Sequence, residues 1–140
     1  MSRMATLLIV DDDTLVRDTL HDLLAESHEC HTADRAEQAL AYLEMENYDV
    51  VITDINMPGL SGHDLLNHIR NTHPATPVIV ISGIALEDTA KVSNQLGAFA
   101  YFTKPFNLDE VEDAVIRAIG RRQELISAQQ KTVVDSEQSP

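Results

Sequence analysis

The sequence predicts an α/β domain, a parallel sheet of five strands with helices on both faces. Three observations carry that reading. Short apolar runs recur along the chain, amphipathic stretches separate them, and the links between the two are brief. Strands that are apolar throughout belong to sheets covered on both faces. Strand–helix alternation with short links makes such sheets parallel.

The elements follow in order. Thr6 to Val10 (TLLIV) reads as the first strand. Leu15 to Ala25 reads as a helix with Leu15, Val16, Leu20, Leu23 and Leu24 on one face. A weaker strand covers Cys30 to Ala33. The helix expected over Arg35 to Glu46 carries Ala36, Ala39, Leu40 and Leu43, and Asp34 with Glu37 fits a capping box at its start. Val50 to Thr53 is the third strand, running straight into Asp54. A helix over His63 to Asn71 presents Leu65, Leu66 and Ile69, and Val78 to Ile81 is the fourth strand. Glu87 to Leu96 is a weaker helix, stopped by Gly97. Ala100 to Phe102 is the fifth strand. Asn107 and Glu110 cap a last helix, the fifth, bearing Leu108, Val111, Val115, Ala118 and Ile119. Beyond Gly120, RRQELISAQQK can extend that helix, whereas the polar TVVDSEQSP has the composition of a disordered tail. The expected division is a domain over 4–120, then a helical extension or linker with a disordered tail over 121–140.

Length and charge narrow the function. A chain of 140 residues with 44% hydrophobic content suits one domain with its own core. Asp and Glu number 23 against 10 Lys and Arg, a formal charge of −13. Such a surface repels nucleic acid phosphates and favours cations. Cys30 is the single cysteine, so no internal disulfide forms. No signal-like segment precedes the first strand, and no apolar run approaches the ~18 residues of a membrane span. The expectation is a soluble cytoplasmic protein without membrane contact. His28, Cys30 and His31 are ligand types for a soft metal, but strand alternation puts Cys30 and His31 on opposite faces, so no metal is expected there.

In open α/β sheets, ligands bind beyond the carboxyl ends of the strands. At those ends this chain has Asp11, Asp12 and Asp13, then Asp54, then Ser82, then Lys104 followed by Pro105. Each has an ordinary role when taken singly, and helix capping is the expected one for Asp13. Jointly they require more. Clustered carboxylates repel one another unless a cation neutralises them. Mg²⁺ takes oxygen ligands, uses one or two carboxylates and completes its shell with water and phosphate oxygens. Lys104 supplies a mobile point charge suited to phosphate, and Ser82 a hydroxyl donor.

The pieces LLIVDDD, DVVITDINMPGLSG, VIVISG and GAFAYFTKPF occur in order. Together they resemble the receiver domains of two-component response regulators, over roughly Thr6 to Ile119. The resemblance implies a flavodoxin-like, doubly wound sheet of order 2-1-3-4-5. It implies that Asp54 is the phosphoacceptor, becoming a 4-aspartylphosphate. Asp11, Asp12 and Asp54 would hold Mg²⁺ with the backbone carbonyl of Asn56, Asp12 being the direct ligand of the acidic pair. Lys104 would contact the phosphoryl group, Ser82 would follow it on activation, and Tyr101 would be the aromatic switch. The Lys104–Pro105 bond would be cis. The donor would be a phosphohistidine on a sensor histidine kinase or histidine phosphotransfer protein. The signal would pass to an effector domain or protein through the surface of the helix over 87–96, the fifth strand and the last helix. Such a domain catalyses only its own phosphorylation and dephosphorylation. Hydrolases that work through an aspartyl phosphate usually carry a second aspartate two residues after the nucleophile, where this chain has Asn56. An unphosphorylated receiver would lack part of the set, which here is complete.

Overall fold

A computed structural model of the chain describes residues 4–55, 62–83 and 97–138, with the backbone alone at Gly62 and over 130–138. Five parallel strands form one sheet. They are β1 (Thr6–Val10), β2 (Glu29–Ala33), β3 (Val50–Asp54), β4 (Val78–Ser82) and β5 (Ala100–Thr103), in the order β2-β1-β3-β4-β5. The described helices are α1 (Thr14–Leu24), α2 (Ala36–Met45), α3 (Gly62–Thr72) and α4 (Leu108–Gln138). The expected helix over Glu87 to Leu96 lies outside the described residues, so four helices stand where five are expected. Gly97, its expected stop, has φ +75°, the left-handed backbone that a helix end favours.

Strand alternation sorts the core into two layers. Leu8, Val10, Val51, Val78 and Val80 pack with Ala36, Ala39 and Leu43 of α2 and Leu65, Leu66 and Ile69 of α3. Leu7, Ile9, Val50, Ile52, Ile79 and Ile81 pack with Leu20 and Leu24 of α1 and Val111, Val115 and Ala118 of α4. The central strands β3 and β4 are buried at every position. That is why both read as unbroken apolar runs.

Three local expectations need correction. Leu15 is 75% exposed, so it does not share the buried face of Leu20 and Leu24. It sits in the first turn of α1 and belongs to neither packed layer among the described residues. The Asp34–Glu37 capping box does not form. Arg35 is the N-cap of α2, which places Glu37 one position too early to reach back, and the Gln38 side chain accepts the Asp34 N–H at 3.0 Å instead. Finally, α4 runs unbroken to Gln138, through most of the segment expected to be disordered. Gly120 is the one glycine of this helix and costs only about 1 kcal/mol, while the stop signal, Pro140, comes after the helix. At the other end, Asn107 Oδ1 accepts the N–H groups of Asp109 and Glu110 at 2.8 and 3.2 Å, as expected of the cap.

Candidate functional site

The register of the sheet gathers the strand ends. Val10 lies beside Thr53, Asp54 beside Ile81, and Ser82 beside Thr103. Asp11 follows β1 directly, and its N–H bonds the Ala33 carbonyl at 3.1 Å. Lys104 follows β5, and its N–H bonds the Ser82 carbonyl at 2.7 Å. The Lys104–Pro105 peptide is cis, as the resemblance implies. Residues far apart in sequence thus meet at the carboxyl end of the sheet.

The ammonium of Lys104 lies 3.0 Å from Asp11 Oδ2 and 3.0 Å from Asp54 Oδ2. Both carboxylates are buried. The other Asp11 oxygen accepts the Asp13 N–H at 2.8 Å. Asp13 itself caps α1, accepting the N–H groups of Leu15 and Val16 at 2.9 and 3.4 Å. The capping role expected of it therefore holds. Asp12 is exposed at the mouth.

Burial raises the Asp11 carboxyl above the ordinary aspartate range, and the Asp54 charge adds to the effect. The Asp13 N–H and Lys104 oppose it without cancelling it. Burial also works against the Lys104 charge, but the hydrogen bonds to Asp54 and Asp11 outweigh it and raise the ammonium above its usual value. Lys104 is therefore a fixed cation shared by two carboxylates.

One carboxylate oxygen from each of Asp11, Asp12 and Asp54 lies within 4.8 Å of the others. An all-oxygen donor set with this spacing fits a hard cation such as Mg²⁺. Asn56, the expected carbonyl ligand, lies outside the described residues. Ser82 is fully buried at the end of β4. Tyr101 is not at the mouth. It is 8% exposed, beside Val80, and packs in the layer with Leu65 and Leu66. Ser82 and Val80 are two apart on β4, so Ser82 and Tyr101 face the same side of the sheet.

Two residues that sequence reasoning did not single out support the site. Arg17 donates from Nη1 to the Asp11 carbonyl at 2.7 Å, fixing the turn that carries the acids. Its one sequence signal is a cation one turn into the helix after an acidic run. Thr53, fully buried, donates its hydroxyl to the Asp54 carbonyl at 2.9 Å. It is the hydroxyl in an otherwise aliphatic run.

Comparisons with known proteins agree with this geometry. A family model described as "Response regulator receiver domain" matches residues 7–116. The response regulator protein FleR of Pseudomonas aeruginosa is 40% identical over 119 residues, covering 84% of this chain and 25% of FleR. The DNA-binding transcriptional regulator NtrC of Salmonella typhimurium is 40% identical over 117 residues, covering 83% of this chain and 25% of NtrC. The chain thus spans about a quarter of the length of these relatives. A crystal structure of a response regulator receiver domain protein from Clostridium thermocellum superposes with a TM-score of 0.78 at 33% identity, over 87% of this chain and 99% of that one. Among the described residues, no helix is long and apolar enough to cross a membrane.

Proposed function

This chain belongs to the response regulator receiver domain family, and on that basis we propose that it takes a phosphoryl group onto Asp54 from a phosphohistidine. The donor is a sensor histidine kinase or a histidine phosphotransfer protein. The observation that carries the proposal is the shared ammonium of Lys104, 3.0 Å from an oxygen of both Asp11 and Asp54. It is a counter-charge at the point where phosphate charge would arrive.

An Asp54 oxygen attacks phosphorus, the P–N bond to the donor imidazole breaks, and an acyl phosphate forms. The imidazole leaves with the bonding pair. Phosphoryl transfer asks little covalent chemistry of the protein, so positioning and charge neutralisation dominate. Asp11, Asp12 and Asp54 would hold Mg²⁺, with Asn56 the further ligand that the resemblance implies, and the ion when bound would neutralise charge on the phosphoryl oxygens. Lys104 moves from the Asp54 carboxylate to a phosphoryl oxygen. Ser82 donates its hydroxyl to another, and Tyr101, on the same side of the sheet, responds to that movement.

The receiver proper spans 4–120, and 121–138 is its helical extension. The protein acts in the cytoplasm, and the signal passes to an effector domain or protein by way of β5 and its neighbouring helices. Incubation with acetyl phosphate and Mg²⁺ should add one phosphoryl group by intact mass, and none to Asp54→Ala. Equal labelling of that variant would overturn the assignment.

A further inference from the structure

On the opposite edge of the sheet from Lys104, β2 and the end of α2 gather a second cluster. One ligand atom from each of Glu29, His31 and Glu46 lies within 4.8 Å of the other two. We propose that these three side chains form a separate binding site for a divalent transition ion of the Zn²⁺ class. Glu29 and His31 are two apart on the edge strand, so both project from one face of it. Glu46 follows α2 directly and comes in from the side, its N–H closing the helix on the Tyr42 carbonyl at 3.0 Å.

The donor set separates this cluster from the acidic pocket. A ring nitrogen with two carboxylates suits zinc and its neighbours in the first transition row, whereas three carboxylates suit Mg²⁺. The cluster also differs from the histidine–cysteine group that the sequence suggests. Cys30 turns to the other face, against the layer of Leu7 and Leu24, and its thiol lies 3.9 Å from the His28 carbonyl. Folding thus exchanges Cys30 and His28 for two glutamates.

The imidazole is already oriented. The Tyr48 hydroxyl lies 2.8 Å from His31 Nδ1, and the Tyr48 ring meets it edge-on with centroids 5.4 Å apart. Glu46 Oε2 lies 3.4 Å from the same nitrogen. The Tyr48 hydroxyl thus holds the nitrogen that does not bind, as is usual for metal-bound histidines, and Glu46 reaches the ion by swinging from Nδ1 towards Nε2. Nε2 then remains for the ion, with Glu29 Oε1 at 3.8 Å. Both glutamates are exposed and can adjust around the fixed ring. Among the described residues, neither pairs with a lysine or arginine, and both have an oxygen near the His31 ring.

The test is a titration of the whole chain with ZnCl₂ in excess Mg²⁺, followed by calorimetry and by the NMR signals of the histidine rings. The expected result is one Zn²⁺ per chain, with His31 signals moving first. His31→Gln and Glu46→Gln should each weaken binding about tenfold or more, and Tyr48→Phe should weaken it with all three ligands retained. Glu46 lies on the surface, so its variant separates lost ligation from lost folding. Undiminished binding in both ligand variants overturns the proposal. So does movement of the His21, His63, His68 or His73 signals in place of His31, and so does an absence of bound Zn²⁺.

Discussion

Asp11, more than Asp12, carries the electrostatic cost of the acidic pocket. It is 2% exposed, whereas Asp12 faces solvent that screens its charge. Because the Asp11 carboxyl is raised in the folded state, the fold holds its proton more tightly than the unfolded chain does. The stabilising contribution of that proton is full below the ordinary aspartate value and fades as pH rises through the raised one. Without metal, Asp11→Asn should therefore melt higher than wild type at neutral pH, and the gap should close as pH falls towards the ordinary aspartate value. Calorimetry in chelator across pH checks this, and a variant that melts lower at neutral pH contradicts it. Lys104→Ala should act in the opposite direction. It leaves two buried carboxylates without their cation, a loss of about 3 kcal/mol. Mg²⁺ should restore much of that loss, because a ligand of the native state stabilises it. Chemical denaturation with and without Mg²⁺ measures both. The acids and the lysine were legible as residue types at strand ends. Their contacts were not, since a 3.0 Å approach between residues 54 and 104 follows from sheet register, to which composition is blind.

Strands β1, β3 and β4 could be read from sequence because they are buried at nearly every position and carry mainly aliphatic residues. The edges were harder. In β2, Glu29, Cys30, His31 and Thr32 are at most half-buried, so polar residues dilute the strand signal and its first residue was missed. Leu15 misled for the converse reason, because helical periodicity says which residues share a face and not how far along the helix its cover extends. Gly97, between β4 and β5, carries a local prediction. Its φ of +75° costs an L residue about 1–2 kcal/mol, and an added Cβ would also meet Arg70, whose Nε lies 2.6 Å from that position. The guanidinium is flexible and can retreat, so the backbone cost should dominate. Gly97→Ala should lose about 1 kcal/mol or more in denaturant, while Gly97→Asn should lose less, because Asn tolerates this conformation better. Equal losses for the two would place the cost in side-chain contact instead.

Across the whole molecule, the acceptor end and the extension lie at opposite ends of the sheet, joined by β3. Asp54 closes that strand, and Asp49 stands just before its start. Arg122, two residues past the expected domain end, bonds Asp49 Oδ1 at 3.1 Å through Nε and Thr76 Oγ1 at 3.2 Å through Nη1. The second Asp49 oxygen accepts the Thr6 N–H at 2.8 Å, and the Thr76 hydroxyl donates to the Tyr48 carbonyl at 3.1 Å. One side chain thus ties α4 to the entries of β1 and β3 and to the turn before β4. Sequence alone could not reveal this tie, because 73 residues separate its partners and Arg122 reads there as one of a basic pair. The tie predicts unequal truncations. Ending the chain after Gln129 keeps Arg122 and several residues of helix beyond it, so stability in denaturant should stay close to that of the full chain. Ending it after Gly120 removes Arg122 and leaves Asp49 without its cation, which should cost about 1–3 kcal/mol. Arg122→Ala in the full chain should reproduce most of that loss, which separates the side-chain tie from any effect of helix length. If the Gly120 truncation proves as stable as the full chain, the structural unit ends where sequence composition placed it, and the Arg122 contacts add nothing to the fold.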